Sequence, residues 1–372
     1  MIKKGCLLGV FLCLLIAFPA HAQVGNLSSA SAVLYEPQSG RVLYEKDPDT
    51  KRPMASTTKL MTALVAAEHV SPDRLVSVPA AALYTEGSSM GLQAGDVLTM
   101  RDLLSGMLLS SGNDAANAAA LITAGSLPTF AELMNRKAAS LGMTNSVFVT
   151  PSGLDEGEHG STARDMALLG AAALRSPLVA SLCAQKRDTI TVSGRTITLT
   201  NHNRLLTLYE PAIGLKTGFT KKSGRCLVSA AQQNGVTLVI ATLNGGDYWN
   251  DHMALYEYGF SKTESVTPSV PALVDMAVVG GTQSTVSLAT PVPEAVTVLK
   301  GEVLTTAVTL PNFLWAPLTQ GERVGTVTYY RNGTVVCENP ITAEQAVAER
   351  PPLTFGIKWR RQLKELLTAL ME

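Results

Sequence analysis

The chain has 372 residues, with 30 Lys and Arg against 30 Asp and Glu, so its formal net charge is zero and no general attraction to nucleic acid is expected. That length allows two or more domains, each burying its own core. Cysteine usage excludes a disulfide framework: with Cys6 and Cys13 assigned to a leader, Cys183, Cys226 and Cys337 remain, an odd number spread widely.

In chain order, Lys3 and Lys4 precede an apolar run from Leu7 to Phe18 and then Ala20-His21-Ala22. This is the layout of a secretory signal peptide over 1–22, cleaved before Gln23. The run is shorter than the roughly 20 residues a spanning helix needs, so export across the cytoplasmic membrane is expected rather than anchoring. Ala32 to Tyr35 and Arg41 to Glu45 read as a hairpin through Pro37-Gln38-Ser39-Gly40, placed to edge a sheet. Pro53 opens a helix that runs towards Val70 and stops near Ser71-Pro72. At its start Ser56 and Lys59 share one face, so an uncharged Lys59 would be the base that activates a Ser56 nucleophile. Taken alone, Ser-x-x-Lys is a common pattern at helix starts.

Two later stretches change its weight. Thr99 to Leu109 reads as a helix capped by Thr99, and it delivers Ser111-Gly112-Asn113 to a loop before a second, Ala-rich helix that runs to Thr123. Helices are also expected at Leu127 to Leu141 and Thr162 to Leu174, with a turn at Thr150 to Asp155 between them. Thr189 to Val192 and Thr196 to Thr200 read as a hairpin, and Arg225 to Gln232 and Val236 to Leu243 as another, turning at Asn234-Gly235. Lys216-Thr217-Gly218 precedes that second hairpin, and Gly214 and Gly218 would let backbone approach a ligand closely. His69, His159, His202 and His252 lack metal-ligand spacing, so neither a metal nor another cofactor is expected.

The order Ser-x-x-Lys, Ser-x-Asn, Lys-Thr-Gly resembles that of the serine D-alanyl-D-alanine carboxypeptidases, the low-molecular-mass penicillin-binding proteins. Glu86 to Leu92, Leu109 to Ala115, Leu141 to Asn145 and Gly214 to Thr220 extend the resemblance, which covers roughly Ser29 to Phe260 well and the rest more loosely. It implies an α/β (α+β) penicillin-recognising serine enzyme domain, β-lactamase/transpeptidase-like, in which helices cover an antiparallel sheet, followed by a small all-β domain. It also implies removal of the terminal D-alanine from a peptidoglycan stem peptide ending in D-Ala-D-Ala, with covalent inhibition by β-lactams. On that reading Ser56 is the nucleophile, Lys59 the general base and Ser111 a proton relay. Asn113 holds the peptide amide, Lys216, Thr217 and Gly218 serve substrate binding, and the backbone N–H groups of Ser56 and Phe219 form the oxyanion hole. Many relatives carry an arginine after the strand ending near Leu243; this chain has Asn244-Gly245-Gly246-Asp247 there, which leaves the terminal carboxylate to Lys216 and Thr217. His159 and Asp165 match family positions and read equally well as packing and helix-start residues, and Lys221 and Lys222 as a solvated loop.

After Phe260 the text turns to Val, Thr and Pro. Short strands are expected at Ala277 to Gly280, Thr285 to Leu288, Val296 to Leu299, Thr305 to Leu310, Val324 to Tyr330 and Thr334 to Glu338. The expected domains are 23–261, catalytic; 262–350, β-rich; and 351–372, an amphipathic helix. In that helix Trp359, Leu363, Leu366, Leu367 and Leu370 recur at helical spacing among basic residues, a pattern suited to the outer face of the cytoplasmic membrane. A class A β-lactamase is disfavoured by the lack of a Glu-x-x-x-Asn signature between Ser111 and Lys216 and by the second domain. The remaining alternatives are a D,D-endopeptidase or transpeptidase acting on cross-linked wall, or a wall-binding relative without turnover.

Overall fold

The computed structural model describes residues 24–352 and 355–371. The expected signal peptide lies outside them. The chain divides into two compact units: one takes Leu43–Ala231 and Val239–Ser261 with the chain up to Leu34, and the other takes Tyr35–Val42, Gln232–Leu238 and Lys262–Glu372.

The expected first hairpin forms as β1 (Ser31–Glu36) and β2 (Arg41–Lys46). A 3-10 turn over Ala55–Thr58 leads into α1 (Lys59–His69). The short strands β3 (Leu75–Ser77) and β4 (Val97–Thr99) pair antiparallel. They precede α2 (Met100–Leu109), α3 (Asn113–Ala124), α4 (Leu127–Ser140), α5 (Ala163–Arg175) and α6 (Pro177–Ala184). Helix starts follow local chemistry: the side chains of Thr99, Ser126, Thr162 and Ser176 each accept a hydrogen bond from the backbone N–H three residues on. The hairpin of β5 (Arg187–Val192) and β6 (Arg195–Thr200) and the single turn α7 (Leu205–Leu208) then lead to β7 (Ala212–Thr220), β8 (Gly224–Gln233), β9 (Val236–Gly245) and α8 (Tyr248–Lys262).

The five-stranded sheet has the order β2-β1-β9-β8-β7. The strand bearing Lys216 is therefore an edge, with one side of its backbone left for another chain to pair with. α5 crosses this sheet at Gly170, where a Cβ would lie 2.7 Å from Val239 Cγ1 and 2.8 Å from Val228 Cγ1. α6 and α8 were not expected. The buried stripe of α8 is Asp251, His252, Leu255, Tyr256 and Gly259, so its spacing is helical while its chemistry is largely polar, and hydrophobic periodicity misses it. Asn113 also departs from expectation: it opens α3, and only Ser110, Ser111 and Gly112 link α2 to it.

In the second unit β10 (Thr263–Val266) pairs with β14 (Val296–Leu299). β11 (Met276–Val279) lies between β12 (Thr285–Val286) and β16 (Leu314–Trp315). The strands β13 (Leu288–Ala289), β18 (Thr334–Ala343), β17 (Arg323–Arg331) and β15 (Leu304–Thr309) form a third sheet in that order. Met276, Val278, Val286, Leu314 and Val347 form one core, and Val327, Tyr329 and Ile341 another. The β17–β18 turn uses Asn332 and Gly333 at φ 50° and 79°, the left-handed pair that a two-residue hairpin loop requires. The last helix, α9 (Phe355–Met371), leaves Trp359, Leu363, Leu366 and Leu367 exposed. No single described helix is long and apolar enough to cross a membrane.

Candidate active site

The 3-10 turn before α1 is entered through Ala55 at φ 47°, an alanine in the left-handed region, and the next residue is Ser56. Ser111, at φ 60°, and Leu215, at φ 79° immediately before Lys216, share that strained conformation. Each such residue costs about 1–3 kcal/mol, and here each adjoins or is a residue of one of the three motifs.

Lys59 is fully buried, and its Nζ lies 2.8 Å from Ser56 Oγ, 2.6 Å from Asn113 Oδ1 and 2.7 Å from Ser152 O. Asn113 Nδ2 donates to Glu86 O at 2.6 Å, which fixes the amide with its oxygen towards the lysine. Asn113 Oδ1 and Ser152 O can only accept, so in the neutral amine they take both N–H bonds and the lone pair is left facing Ser56 Oγ. Burial above all, and next the charge of Lys216, hold the Lys59 amine well below the ordinary lysine value, against an opposing pull from Asp114. The arrangement can therefore take a proton from Ser56.

Lys216 is buried on β7, donates to Thr217 O at 3.1 Å, and is brought down to about 8 by burial. The register of β7 against β8 shifts between Ala212 and Gly214, a bulge that re-aims the strand just before Lys216. The two glycines act differently from expectation. A Cβ at Gly218 would sit 3.0 Å from Met54 O, Ser56 N and Thr57 N, and one at Gly214 would sit 2.6 Å from Cys183 O. The close approach they permit is to the protein's own backbone, and at Gly218 it sets β7 against the turn that carries Ser56. Phe219, the next residue, is exposed.

Several contributors were invisible in the sequence. The carbonyls of Ser152 and Glu86 belong to the network around Lys59 and Asn113, yet every residue has a carbonyl, so no motif marks them. His159 joins the Ser152 turn to the start of α1. Its Nδ1 accepts from the N–H groups of Val149 and Thr150 at 3.0 and 3.3 Å, so Nε2 carries the proton that it shares with Thr58 Oγ1 at 3.0 Å. Burial brings this imidazole down to about 4. Asp165 accepts from Asn145 N and Ser146 Oγ, a packing role. Asp114 accepts from Ser89 Oγ and from the N–H groups of Met90, Gly91 and Leu92, tying the segment after Glu86 to the start of α3. His202, exposed before α7, is lowered first by desolvation and then by the positive charge of Lys216, so it too lies within reach of the site's field.

The D-alanyl-D-alanine carboxypeptidase family model matches residues 18–246, and that of the penicillin-binding protein 5 C-terminal domain matches 265–349. The chain belongs to the D-alanyl-D-alanine carboxypeptidase family. D-alanyl-D-alanine carboxypeptidase DacC of Escherichia coli strain K12 is 35% identical over 366 residues, covering 92% of this chain and 90% of the relative. Penicillin binding protein 5 from Haemophilus influenzae superposes with a TM-score of 0.65 at 28% identity, over 87% of this chain and 99% of that one. A variant of the Streptomyces K15 DD-transpeptidase does so with a TM-score of 0.60 at 30% identity, over 64% of this chain and 99% of the other. The fold is the penicillin-recognising one, with a C-terminal all-β domain, as the resemblance implied.

Proposed function

We propose that this chain is a serine D-Ala-D-Ala carboxypeptidase that removes the terminal D-alanine of peptidoglycan stem peptides, with Ser56 as the residue acylated by substrate and by β-lactams. The observation that carries the reading is the buried Lys59 amine, engaged by two carbonyls and left facing Ser56 Oγ. Lys59 takes the hydroxyl proton as Ser56 Oγ attacks the carbonyl of the penultimate D-Ala. The Ser56 and Phe219 N–H groups receive the developing oxyanion. Ser111 passes a proton to the departing amine, and water then releases the acyl group from Ser56. Lys216, with Thr217 and Gly218 beside it on the free edge of β7, meets the substrate's terminal carboxylate, the charge that marks a chain end. Asn113 holds the substrate's amide.

Mass spectrometry after brief exposure to benzylpenicillin is expected to place one adduct on Ser56, and D-alanine is expected to be released from a peptide ending in D-Ala-D-Ala. Ser56→Ala should lose both while keeping its circular dichroism spectrum. An adduct on another residue would overturn the nucleophile assignment.

The exported enzyme would work on the outer face of the cytoplasmic membrane, held there peripherally by α9. The exposed Trp359, Leu363, Leu366 and Leu367 and the neighbouring Lys358, Arg360, Arg361 and Lys364 support this, since an interfacial helix needs both kinds of residue. Full-length protein should sediment with anionic vesicles and a chain ending at 350 should stay in solution; equal partitioning of the two would remove α9 from the role.

A further inference from the structure

The turn that carries Ser56 is held between two segments, each of which approaches it through a glycine. On one side is Gly218 of β7. On the other is Gly153, at φ 88°, where a Cβ would lie 2.0 Å from Ala55 O. The residue before Gly153 is Ser152, whose carbonyl accepts from Lys59, and the residue after Gly218 is Phe219, whose N–H the proposed mechanism gives to the oxyanion. A side-chain bond joins the two flanks: Thr220 Oγ1 donates to Asp155 Oδ2 at 3.0 Å. Asp155 stands two residues beyond Gly153 and Thr220 two beyond Gly218, so this bond closes a ring around the Ser56 turn. Thr220 is fixed at the end of β7 independently of Asp155, since its N–H donates to Ser223 Oγ and its Oγ1 accepts from Ser223 N, both at 2.9 Å. Its hydroxyl has two acceptors in reach, and the carboxylate is a stronger one than Ser223 Oγ, at 3.0 Å. Stability alone gives Asp155 little reason to be there. Its Oδ1 is buried and has no hydrogen-bond partner among the described residues, and a buried polar atom left unpaired lowers stability.

We propose that Asp155 is a positioning residue for acylation: through Thr220 it holds the Ser152 carbonyl and the Phe219 N–H at a fixed separation on either side of Ser56. The inference rests on the Ser56 mechanism and adds to it a group that touches neither the substrate nor the nucleophile. The ring also explains how Ala55 stays at φ 47°. With Gly153 against its carbonyl and Gly218 against the nitrogens of Ser56 and Thr57, the strained turn relaxes only if the two flanks part, and the Asp155–Thr220 bond opposes that. Without the bond the base's carbonyl partner and the oxyanion donor move independently, and the reacting atoms lose their register.

The test is a double-mutant cycle of Asp155→Ala and Thr220→Val on D-alanine release from a peptide ending in D-Ala-D-Ala, with the thermal midpoint measured for each protein. Either single variant should lower kcat about tenfold and leave KM little changed, because placement is lost while substrate binding is not. The double variant should be no slower than the slower single, since the same bond is removed either way. Thr220→Ser, which keeps the hydroxyl, should recover most of the loss. The midpoint of Asp155→Ala should equal or exceed that of the parent protein, because the unpaired Oδ1 leaves with the side chain. Losses that multiply in the double variant, or a lowered midpoint with kcat intact, overturn the proposal. Amide hydrogen exchange reads the same link without chemistry: Thr220→Val should speed exchange over both 150–156 and 216–222, and an effect confined to the second segment overturns the link. If Asp155→Ala does not fold, kcat and exchange of Thr220→Val decide alone. A parent protein that neither releases D-alanine nor takes up benzylpenicillin tells against the Ser56 mechanism instead, and exchange then decides the link by itself.

Discussion

On the proposed mechanism Lys59 and Lys216 are two buried amines with opposite requirements: the first has to be neutral to accept the Ser56 proton, and the second has to be charged to meet a carboxylate. Burial lowers both, and the charge kept on Lys216 lowers Lys59 further. The sign of the pH dependence follows. Acidification protonates Lys59 and slows acylation, while a rise through about 8 discharges Lys216 and weakens carboxylate capture, so kcat/KM for D-alanine release should be bell-shaped with its alkaline limb near 8. Lys216→Arg keeps its charge and should carry that limb to higher pH; initial rates across the neutral and alkaline range read this, and an unmoved limb would separate it from Lys216. Both lysines were legible in the sequence as candidates because each sits in a motif of reactive or charged side chains. The carbonyls of Ser152 and Glu86 were not, since what they contribute is backbone in the right place rather than residue type.

At the scale of elements, the site depends on β7 lying against the Ser56 turn, and Gly218 is what allows it. Gly218→Ala would place a Cβ at 3.0 Å from three backbone atoms of that turn, none of which can rotate away. The strand and the turn must then part by a few tenths of an ångström. Acylation by benzylpenicillin should fall on the order of 100-fold, the usual penalty for misplacing reacting groups, with secondary structure unchanged. A rate near that of the parent protein, read by stopped-flow or mass spectrometry, would mean that the contact does not position the oxyanion donors. Capped helices and Asn-Gly hairpins were legible because local chemistry specifies them, as at Thr99, Thr162 and Asn234-Gly235. α8 was not, because Asp251 and His252 occupy its buried face and are satisfied by groups outside the helix, Ser28 and Ser29 from the far end of the chain and Ser229 and Thr242 from β8 and β9.

At the scale of the molecule, two buried imidazoles couple folding to pH. His252, between Ser229 Oγ at 2.6 Å and Thr242 Oγ1 at 2.8 Å, is lowered by burial from 6.5 to about 3, and His159 from 6.5 to about 4. Between those values the unfolded chain binds protons that the native one refuses, so stability is complete above about 6.5 and declines as pH falls towards 4. The loss should reach a few kcal/mol, since each tenfold drop in an imidazole's proton affinity on folding is worth about 1.4 kcal/mol. Thermal midpoints measured from pH 7 downward should fall through this window, and less steeply in His252→Asn; identical slopes would acquit His252. The three oxygens around the Lys59 amine come from residues 3, 54 and 93 positions away along the chain, so no local fragment can assemble them. Penicillin reactivity is in consequence expected to be a conformational assay: the labelled fraction of a sample counts the molecules in which these distant parts of the chain have come together.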